Sequence, residues 1–340
     1  MVTFILACNT SQVDVTDQKS TEEKNQKIDV QPQKAELRIY SGRSEALVSD
    51  LFTQAEAELN IKLNIEYGKT DQMVTRMLTE GTQSPADIIF AQDSGHLGAL
   101  SNRDMLAELS AGLMDGIQQQ YRDDKNRWLA TSGRLRVLVY NSEKYDVKDL
   151  PQSLEDLKDP KWKGKLGWAP QNGSFLAHLS AIRNIWGEKK TEEWLTGVQA
   201  NNPKVYPKNS PQVQAVHDGV LDIGWVNHYY LHKKLDTKNT KAKNYSFPTK
   251  GDPGNIVMLA GMGIRKGSAQ KENAEKLLKW MTSPKAQQWF VEKNFEYPTI
   301  PGIKEHPDVY QLGADQLANI PQSTLADIGP TKALLKKLGL

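Results

Sequence analysis

The sequence contains a single cysteine, Cys8, among 340 residues. A disulfide within the chain and a metal site built from several thiolates are therefore both excluded. Long apolar runs are also missing, so that no segment is long enough to span a bilayer as a helix. The formal net charge is only +2, which gives no argument for binding nucleic acid or an anionic membrane surface.

Sequence signatures of catalysis are missing as well. We find no phosphate-binding loop, no dinucleotide fingerprint and no His-Glu-x-x-His pattern among the six histidines. His228 and His232 lie one helical turn apart, which suggests a secreted metalloenzyme. Without a His-Glu-x-x-His pattern, this is the weakest of three hypotheses. Without a set of nucleophile, base and acid, the sequence predicts a protein that binds a ligand and is not an enzyme.

Helical and strand periods alternate along most of the chain, which is typical of an α/β fold. Residues 37–40, 61–67 and 87–90 read as strands with helical patterns between them. This β-α-β-α-β start predicts one half of a doubly wound sheet. The chain is long enough for two lobes, and strands near 134–140 and 258–264 are predicted to cross between them.

The first 35 residues are predicted to lie outside the folded body. Residues 2–6 are mostly apolar and are followed by a small residue, Ala7, and then by Cys8. This order resembles the end of a lipoprotein signal peptide whose N-terminal part is truncated. The alternative is an ordinary start with a chance cysteine. Residues 9–35 contain no aromatic residue and are rich in polar ones, which predicts a flexible tether. Cys8 is thus the predicted lipidation site.

The most informative local feature is the adjacent pair Tyr229 and Tyr230. Neighbouring side chains point to opposite faces of a strand and diverge by about 100° around a helix. They converge only at a turn or at the start of a helix. Residues 221–226 read as a buried strand that Asn227 can end, which places the pair where open α/β sheets bind ligands. Two phenols there can close on one hard cation, although paired tyrosines are more often packing aromatics.

Seven short motifs, in order along the chain, carry a family resemblance. They are IYSGR at 39–43, SPAD at 84–87, SGRLRV at 132–137, PKWKG at 160–164, KNS at 208–210, the tyrosine pair, and EYP at 296–298. From Glu36 onward the chain resembles the ferric-ion-binding solute-binding proteins of bacterial ABC importers. The resemblance implies a two-lobed periplasmic-binding-protein fold of type II. Each lobe is a doubly wound sheet, two hinge strands join the lobes, and the ligand lies in the cleft.

The resemblance also implies the domain arrangement and the function. Residues 36–134 and 260–310 are expected to form the first lobe, and residues 135–259 and 311–340 the second. The protein is expected to capture Fe³⁺ in the periplasm or at an extracytoplasmic membrane surface, and to deliver it as a monomer to the permease of an ABC importer in the inner membrane. The alternative is the same fold with another solute, namely a polyamine, thiamine, a phosphonate or sulfate.

The resemblance assigns Tyr229 and Tyr230 as ferric ligands from the second lobe. One branch of the family adds a histidine and a glutamate from the first lobe, but Ser44 and Gln92 stand at those positions. Another branch adds a tyrosine near residues 172–175, where Phe175 offers no oxygen. The first-lobe ligands are therefore left open.

Three first-lobe residues remain candidate ligands, with an anion or water as the alternative. Glu45 and Asp93 are the nearest carboxylates, and Gln92 itself offers an amide oxygen. Glu45 is also typical of a first-turn helix acid, and Asp93 of a helix cap.

Two phenolates leave Fe³⁺ with positive charge and open positions, which in the family a synergistic anion, phosphate or carbonate, fills. Asn172, Gly173 and Ser174 are predicted to bind this anion at a helix start, where free N–H groups and the helix dipole attract negative charge. The other predicted anion contacts are Asn209, Asn227, Arg43 and Arg134. For Arg134 the alternative is a surface or hinge salt bridge of small energy.

Overall fold

The structure is a computed structural model that describes residues 34–340, apart from residues 312, 314, 319, 326 and 327. The predicted signal, Cys8 and residues 9–33 of the predicted tether lie outside the described residues. Ala35, which was predicted to belong to the tether, packs against a hydrophobic core, and its carbonyl accepts a hydrogen bond from Lys62 N at 2.8 Å. Ala35 therefore belongs to the folded body and not to the tether. Among the described residues, no helix combines the length and apolarity needed to cross a membrane.

The first part of the chain alternates strands and helices, as predicted. In chain order the elements are β1 (Glu36–Ser41), α1 (Glu45–Leu59), β2 (Lys62–Tyr67), α2 (Thr70–Glu80), β3 (Ile88–Ala91), α3 (Ser94–Asn102) and α4 (Ala111–Met114). β1 pairs in parallel with both β2 and β3, which confirms the β-α-β-α-β start. Helix α1 forms because its apolar residues recur at helical spacing, and the buried ones face the sheet and its helices.

Strand β4 (Trp128–Asn141) is longer than the predicted strand at 134–140, and all of its residues are buried. Residues 128–135 pair with β9 (Val257–Ile264), whereas residues 136–141 pair with β7 (Ile223–Asn227) and β8 (Ala242–Tyr245). β4 therefore joins both parts of the sheet, which confirms the predicted crossover. The returning strand β9 lies between β3 and β4.

The remaining elements are β5 (Leu166–Trp168), α5 (Gly173–Trp186), α6 (Glu188–Ala200), β6 (Lys204–Val205), α7 (Asn209–His217), α8 (Tyr229–Lys234), α9 (Lys271–Met281), α10 (Pro284–Asn294) and α11 (Gly329–Lys337). The strand order is β2-β1-β3-β9-β4-β7-β5-β6, with β8 on β4. The predicted α/β class is confirmed. We call the strands β1–β3 with β9 the first half of the sheet, and β5–β8 the second half.

Each half of the sheet has its own hydrophobic clusters. In the first half, the rings of Phe52 and Phe90 pack edge to face with centroids 6.0 Å apart. In the second half, Phe175 packs in the same way on Trp225, at 5.2 Å. The contact of Phe175 with Trp225 holds the first turn of helix α5 against strand β7. The lobe boundaries at 134/135 and 259/260 stay a prediction.

The tail divides its contacts between the halves. Helix α11 packs against α5 through Leu334 and Leu335, as expected for the second lobe. The short turn Gln322–Leu325 packs on α5 and also on α3 of the first half, where Gln322 accepts a hydrogen bond from Ser94. The tail thus contacts both halves, and its assignment to the second lobe stays a prediction.

Candidate ligand-binding site

Tyr229 and Tyr230 are the first two residues of α8, separated from β7 by His228. The predicted position after a strand and at a helix start is therefore confirmed. Their ring centroids lie only 4.6 Å apart with an interplanar angle of 38°, so that both rings project to the same side. Tyr229 is buried, with 1% of its surface exposed, whereas Tyr230 is partly exposed. One phenol is thus inside the protein, whereas its neighbour has access to solvent.

His228 fixes the turn that presents the two phenols. Its Nδ1 accepts a hydrogen bond from Leu135 N at 3.1 Å, and its Nε2 donates to Phe295 O at 2.6 Å. Because Nδ1 accepts, the proton of the neutral ring lies on Nε2. The ring stacks on Tyr297 and meets Tyr229 edge to face. His228 thereby supports the ring of Tyr229.

Burial governs the ionisation of the inner phenol. It raises the pKa of Tyr229 well above the ordinary value of about 10, and the neighbouring Tyr230 adds to the rise. The charges of Arg43 and Arg134 act in the opposite direction but do not cancel it. Tyr229 therefore keeps its proton at neutral pH in the ligand-free protein. A bound hard cation can remove that proton, because the cation becomes the largest local charge.

Helix α5 begins where the anion site was predicted, but its N-cap uses part of that site. Asn172 is the N-cap residue, and its Oδ1 accepts a hydrogen bond from Ser174 N at 3.0 Å. The main-chain N–H of Ser174 is therefore already occupied. The Ser174 hydroxyl is buried and remains a polar group of the site. Gly173 is exposed as the first helical residue.

Asn227 connects this helix start to the inner phenol. Its Nδ2 donates to Ser174 Oγ at 3.3 Å and to Tyr229 Oη at 3.2 Å. The predicted anion residues Ser174 and Asn227 therefore lie beside a predicted metal ligand. The structure brings together side chains from α5, β7 and α8 that are up to 56 positions apart in the sequence.

Arg43 and Arg134, both predicted anion contacts, are each only 1% exposed. Arg43 forms a buried ion pair with Glu296, its Nη2 lying 2.8 Å from both carboxylate oxygens. Arg134 donates from Nη1 to the main-chain oxygen of Gln92. The surface salt bridge considered for Arg134 is therefore wrong, because this side chain is inside the protein.

Arg136 is a third buried arginine, which the sequence motif contains but to which we assigned no role. It follows Arg134 by two residues in β4, so that both side chains leave the same face of the strand. Its guanidinium donates to Trp225 O at 2.6 Å, and to Asn209 Oδ1 and Asn227 Oδ1 at 3.4 Å each. Asn209, another predicted anion contact, is buried at the first turn of α7, for which Lys208 and not Asn209 is the N-cap residue.

The arginines have spare hydrogen-bond donors. In the part of the chain that the structure describes, Arg43 Nε and Nη1, Arg134 Nε and Nη2, and Arg136 Nε are buried without a partner. Burial, together with the charge of Arg134, lowers the pKa of Arg136 to about 9. Glu296 forms its ion pair with Arg43, whereas Glu296 and Asp93 act on Arg134 without an ion pair. The ligand-free site is therefore positively charged and rich in N–H donors, which suits an anion.

The predicted first-lobe carboxylates do not face an open cation site in the structure. Glu45 is exposed in the first turn of α1. Asp93 is the N-cap of α3, where its Oδ1 accepts from His96 N at 3.1 Å and lies 2.8 Å from His96 Nδ1. Although burial raises it, His96 holds the pKa of Asp93 below its usual value. The helix-cap interpretation is confirmed, while both ligand roles stay predictions.

Histidines and carboxylates do not form a metal cluster elsewhere in the described part of the chain. Among those residues, no group of three or more His, Cys, Asp or Glu side chains could hold a metal ion. The metalloenzyme hypothesis therefore has no site among the residues described.

Glu296 and Arg136 are the residues that sequence reasoning left without a role. For Arg136 a signal existed, because the alternation of Arg134 and Arg136 within a predicted strand places both on one face. Glu296 gave no such signal, since its partner Arg43 is 253 positions away.

A buried histidine beneath the site gives a prediction about stability. His178 of α5 is fully buried, its Nε2 donates to Pro253 O at 3.1 Å, and burial beside Arg136 lowers its pKa to about 3. Between an unfolded pKa of about 6.5 and this folded pKa, only the unfolded chain binds the proton. Acidification should therefore lower the free energy of unfolding by up to about 1.4 kcal/mol per pH unit through this residue.

The variant His178→Gln should lose this part of the pH dependence, as measured by urea unfolding between about pH 7 and pH 4. The matched control is His217→Gln, since His217 is partly exposed and bonded to Thr240. The slope of stability against pH is the readout, not stability at one pH. An equal loss of slope in both variants would contradict the assignment.

Comparisons with known proteins are consistent with this geometry. The sequence pattern of the family described as bacterial extracellular solute-binding protein matches residues 83–321. The major ferric iron-binding protein of Neisseria meningitidis serogroup B is 30% identical over 320 residues, which cover 91% of this chain and 94% of that protein. The Fe(3+)-binding periplasmic protein of Serratia marcescens is 31% identical over 278 residues, covering 81% and 82%.

Solved structures are similar over almost the whole described body. Iron-bound HitA from Pseudomonas aeruginosa superposes with a TM-score of 0.84 at 28% identity, covering 90% of this chain and all of that one (100%). A Trichodesmium protein in complex with iron and citrate superposes with a TM-score of 0.78, also at 28% identity, covering 90% and 99%.

Proposed function

This chain belongs to the bacterial extracellular solute-binding proteins, in their ferric iron-binding branch, and we propose that it captures Fe³⁺ outside the cytoplasm for an ABC importer. Members of this family bind solutes and are not enzymes, as the sequence predicted. The chain has the periplasmic-binding-protein fold of its solved relatives. The two relatives named for ferric iron match 91% and 81% of the chain, which supports iron as the cargo.

The observation that carries the proposal is the pair of converging phenols at the start of α8. Tyr229 and Tyr230 leave one helix end with their rings 4.6 Å apart, and oxygen is the donor that a hard trivalent cation prefers. Three buried arginines lie near the pair, and a phenolate formed by metal binding would bring negative charge to Arg134 and Arg136, which have no ion-paired carboxylate among the described residues. Packing alone would not explain so many cations around two tyrosines.

Charge balance supports a synergistic anion. Fe³⁺ with two tyrosinates retains one positive charge, and Arg134 and Arg136 add two more without a carboxylate partner of their own. A multivalent anion such as phosphate or carbonate would offset this surplus, and it would receive hydrogen bonds from the unpartnered N–H groups. Asn172, Gly173, Ser174 and Asn209 are proposed to complete the anion contacts. Citrate accompanies iron in the Trichodesmium relative.

The proposed iron ligands of the first half are less defined than the tyrosines. Asp93 would have to leave His96, and Glu45 would have to turn from solvent toward the cleft. Gln92 already lies at the cleft but is bonded across it. The proposed anion can occupy the remaining coordination positions.

The proposed lobes comprise residues 36–134 with 260–310, and 135–259 with 311–340. They would close on the ion by a hinge motion about β4 and β9. The change of pairing partner near residue 135 of β4 supports this boundary. The closed, iron-loaded monomer would then dock on an inner-membrane permease, with Cys8 as the proposed lipid anchor and no nucleic-acid partner.

An organic anion without iron is the second candidate, because the buried arginine cluster would also suit a phosphonate or a carboxylate. A ferric titration separates the two. We expect purified protein to turn visibly coloured on addition of ferric citrate, through charge transfer from tyrosinate to iron. A protein that stays colourless while binding a phosphonate would favour the organic anion.

The colour should fade in acid. Each tyrosine must lose a proton to bind the ion, so that apparent affinity should fall by up to about 100-fold per pH unit if two protons are released. Because the pKa of Tyr229 is raised, its phenol stays protonated between about pH 8 and about pH 5 unless the metal ion binds and displaces the proton. Absorbance during acid titration, with potentiometric proton counting, measures the effect. Iron binding without proton release would contradict it.

A further inference from the structure

Gln92 occupies a fixed position at the carboxyl end of β3. Its main-chain N–H donates to Thr70 Oγ1 at 3.1 Å, and its main-chain oxygen accepts from Arg134. Thr70 is the first residue of α2, and Arg134 belongs to the crossing strand β4. The backbone of Gln92 is therefore bonded on both sides, which leaves its side chain with a defined direction.

That side chain spans the cleft between the two halves of the sheet. Gln92 Nε2 donates to Ser174 Oγ at 3.1 Å, and Ser174 belongs to the first turn of α5 in the second half. Ser174 Oγ also accepts from Asn227, which donates to Tyr229. A continuous series of hydrogen bonds thus runs from the end of β3 to the inner phenol.

The two bonds to Ser174 determine what its hydroxyl can do. A hydroxyl has two acceptor lone pairs and one hydrogen to donate. Gln92 and Asn227 use both lone pairs, so that the hydrogen remains for a third partner. Ser174 is 5% exposed, and its remaining hydrogen is oriented by a residue of the opposite half.

We propose that Gln92 is a positioning residue of the site, which joins the two halves without metal and orients Ser174 and, through Asn227, the phenol of Tyr229. Gln92 then acts in closure and not as an iron ligand. The closed form is consequently populated before the ion arrives, and less of the binding energy is used to close the cleft. Only the ferric part of this proposal rests on the proposed function.

The distance between the halves in the ion-free protein tests the bridge directly. Spin labels at Thr53→Cys in α1 and Lys189→Cys in α6, in a Cys8→Ser background, report the separation by pulsed electron resonance; both sites are exposed. We expect Gln92→Ala to shift the ion-free distribution toward longer distances. Adding ferric citrate should restore the shorter distance, which would show that the variant is folded and can still close.

Two further variants make the test specific. Gln92→Asn keeps the amide but shortens the side chain by about 1.5 Å, so that it should behave like Gln92→Ala. Gln54→Ala, at a glutamine in α1, should leave the distribution unchanged. A wild-type distribution in Gln92→Ala or in Gln92→Asn would overturn the proposed bridge.

Ferric binding supplies a second measurement, and its values would not change if Gln92 had a purely structural role. Gln92→Ala should keep the tyrosinate colour but shift the absorption band, and ferric affinity should fall by about 10–100-fold, as for the loss of other groups that orient a ligand. An unchanged band and affinity would overturn the positioning role. A colourless wild-type protein would instead refute the iron proposal, and the distance comparison would still decide the bridge.

Discussion

Tyr229→Phe should abolish the ferric charge-transfer colour or nearly so, and should weaken ferric binding by at least about 100-fold. Loss of a group that merely orients a metal ligand already costs about 10–100-fold, and this change removes a ligand oxygen itself. It also leaves Arg134 and Arg136 without the negative charge that a phenolate would bring into a buried site. Absorbance and competition with a chelator of known affinity measure the effect.

Tyr230→Phe should have the same direction of effect, but its partly exposed position allows water to replace the lost oxygen more easily. The matched control is Tyr121→Phe, because Tyr121 lies in a short turn and is also partly exposed. That variant should bind and colour like the parent. If Tyr229→Phe retained full colour and affinity, the phenol pair would be a packing feature and the proposed ligand set would be wrong.

Glu296→Gln should destabilise the fold by about 3–5 kcal/mol, the usual cost of removing one partner of a buried ion pair. The pair with Arg43 is almost fully enclosed, with side-chain exposures of 0% and 1%. Burial lowers the pKa of Arg43, but Glu296 more than offsets this, so that the guanidinium stays charged. Without the carboxylate, that charge would have only polar neighbours. Urea unfolding of the ion-free protein gives the free energy.

An exposed pair provides the comparison. Lys62 and Glu36 lie 3.1 Å apart with exposures of 58% and 48%, and Glu36→Gln should change stability by less than about 1 kcal/mol. The double variant Arg43→Met with Glu296→Leu should recover much of the loss, since apolar pairs of similar volume replace buried ion pairs well. A loss in Glu296→Gln as small as in Glu36→Gln would show that Arg43 finds another partner.

Local features of the site could be predicted from the sequence. The tyrosine pair follows a strand and opens a helix because Asn227 ends the apolar run before it, and Asn172 caps α5 as its residue type indicates. Strand alternation likewise gave the β-α-β-α-β start. Each of these depends on neighbouring residues, so that a single sequence contains the information.

Contacts between distant segments could not be predicted in the same way. The Arg43–Glu296 ion pair joins residues 253 positions apart, and the hydrogen bond from Gln92 to Ser174 joins residues 82 positions apart. Neither contact therefore produces a local sequence pattern. The family resemblance identified Gln92 only as the residue that stands where one branch of the family has a glutamate ligand. Its bond across the cleft became visible once the sheet had brought the ends of β3 and α5 together.

The position of β9 has a consequence for how the protein is made. This strand fills the gap between β3 and β4, yet the ribosome synthesises it about 130 residues after β4 begins. Until residue 264 has emerged, the first half has two strand edges with unpaired N–H and C=O groups and an open core. The first half of the sheet therefore cannot complete its pairing until residue 264 has been synthesised, and a chain whose sheet is still incomplete is easier to thread across a membrane than a folded one.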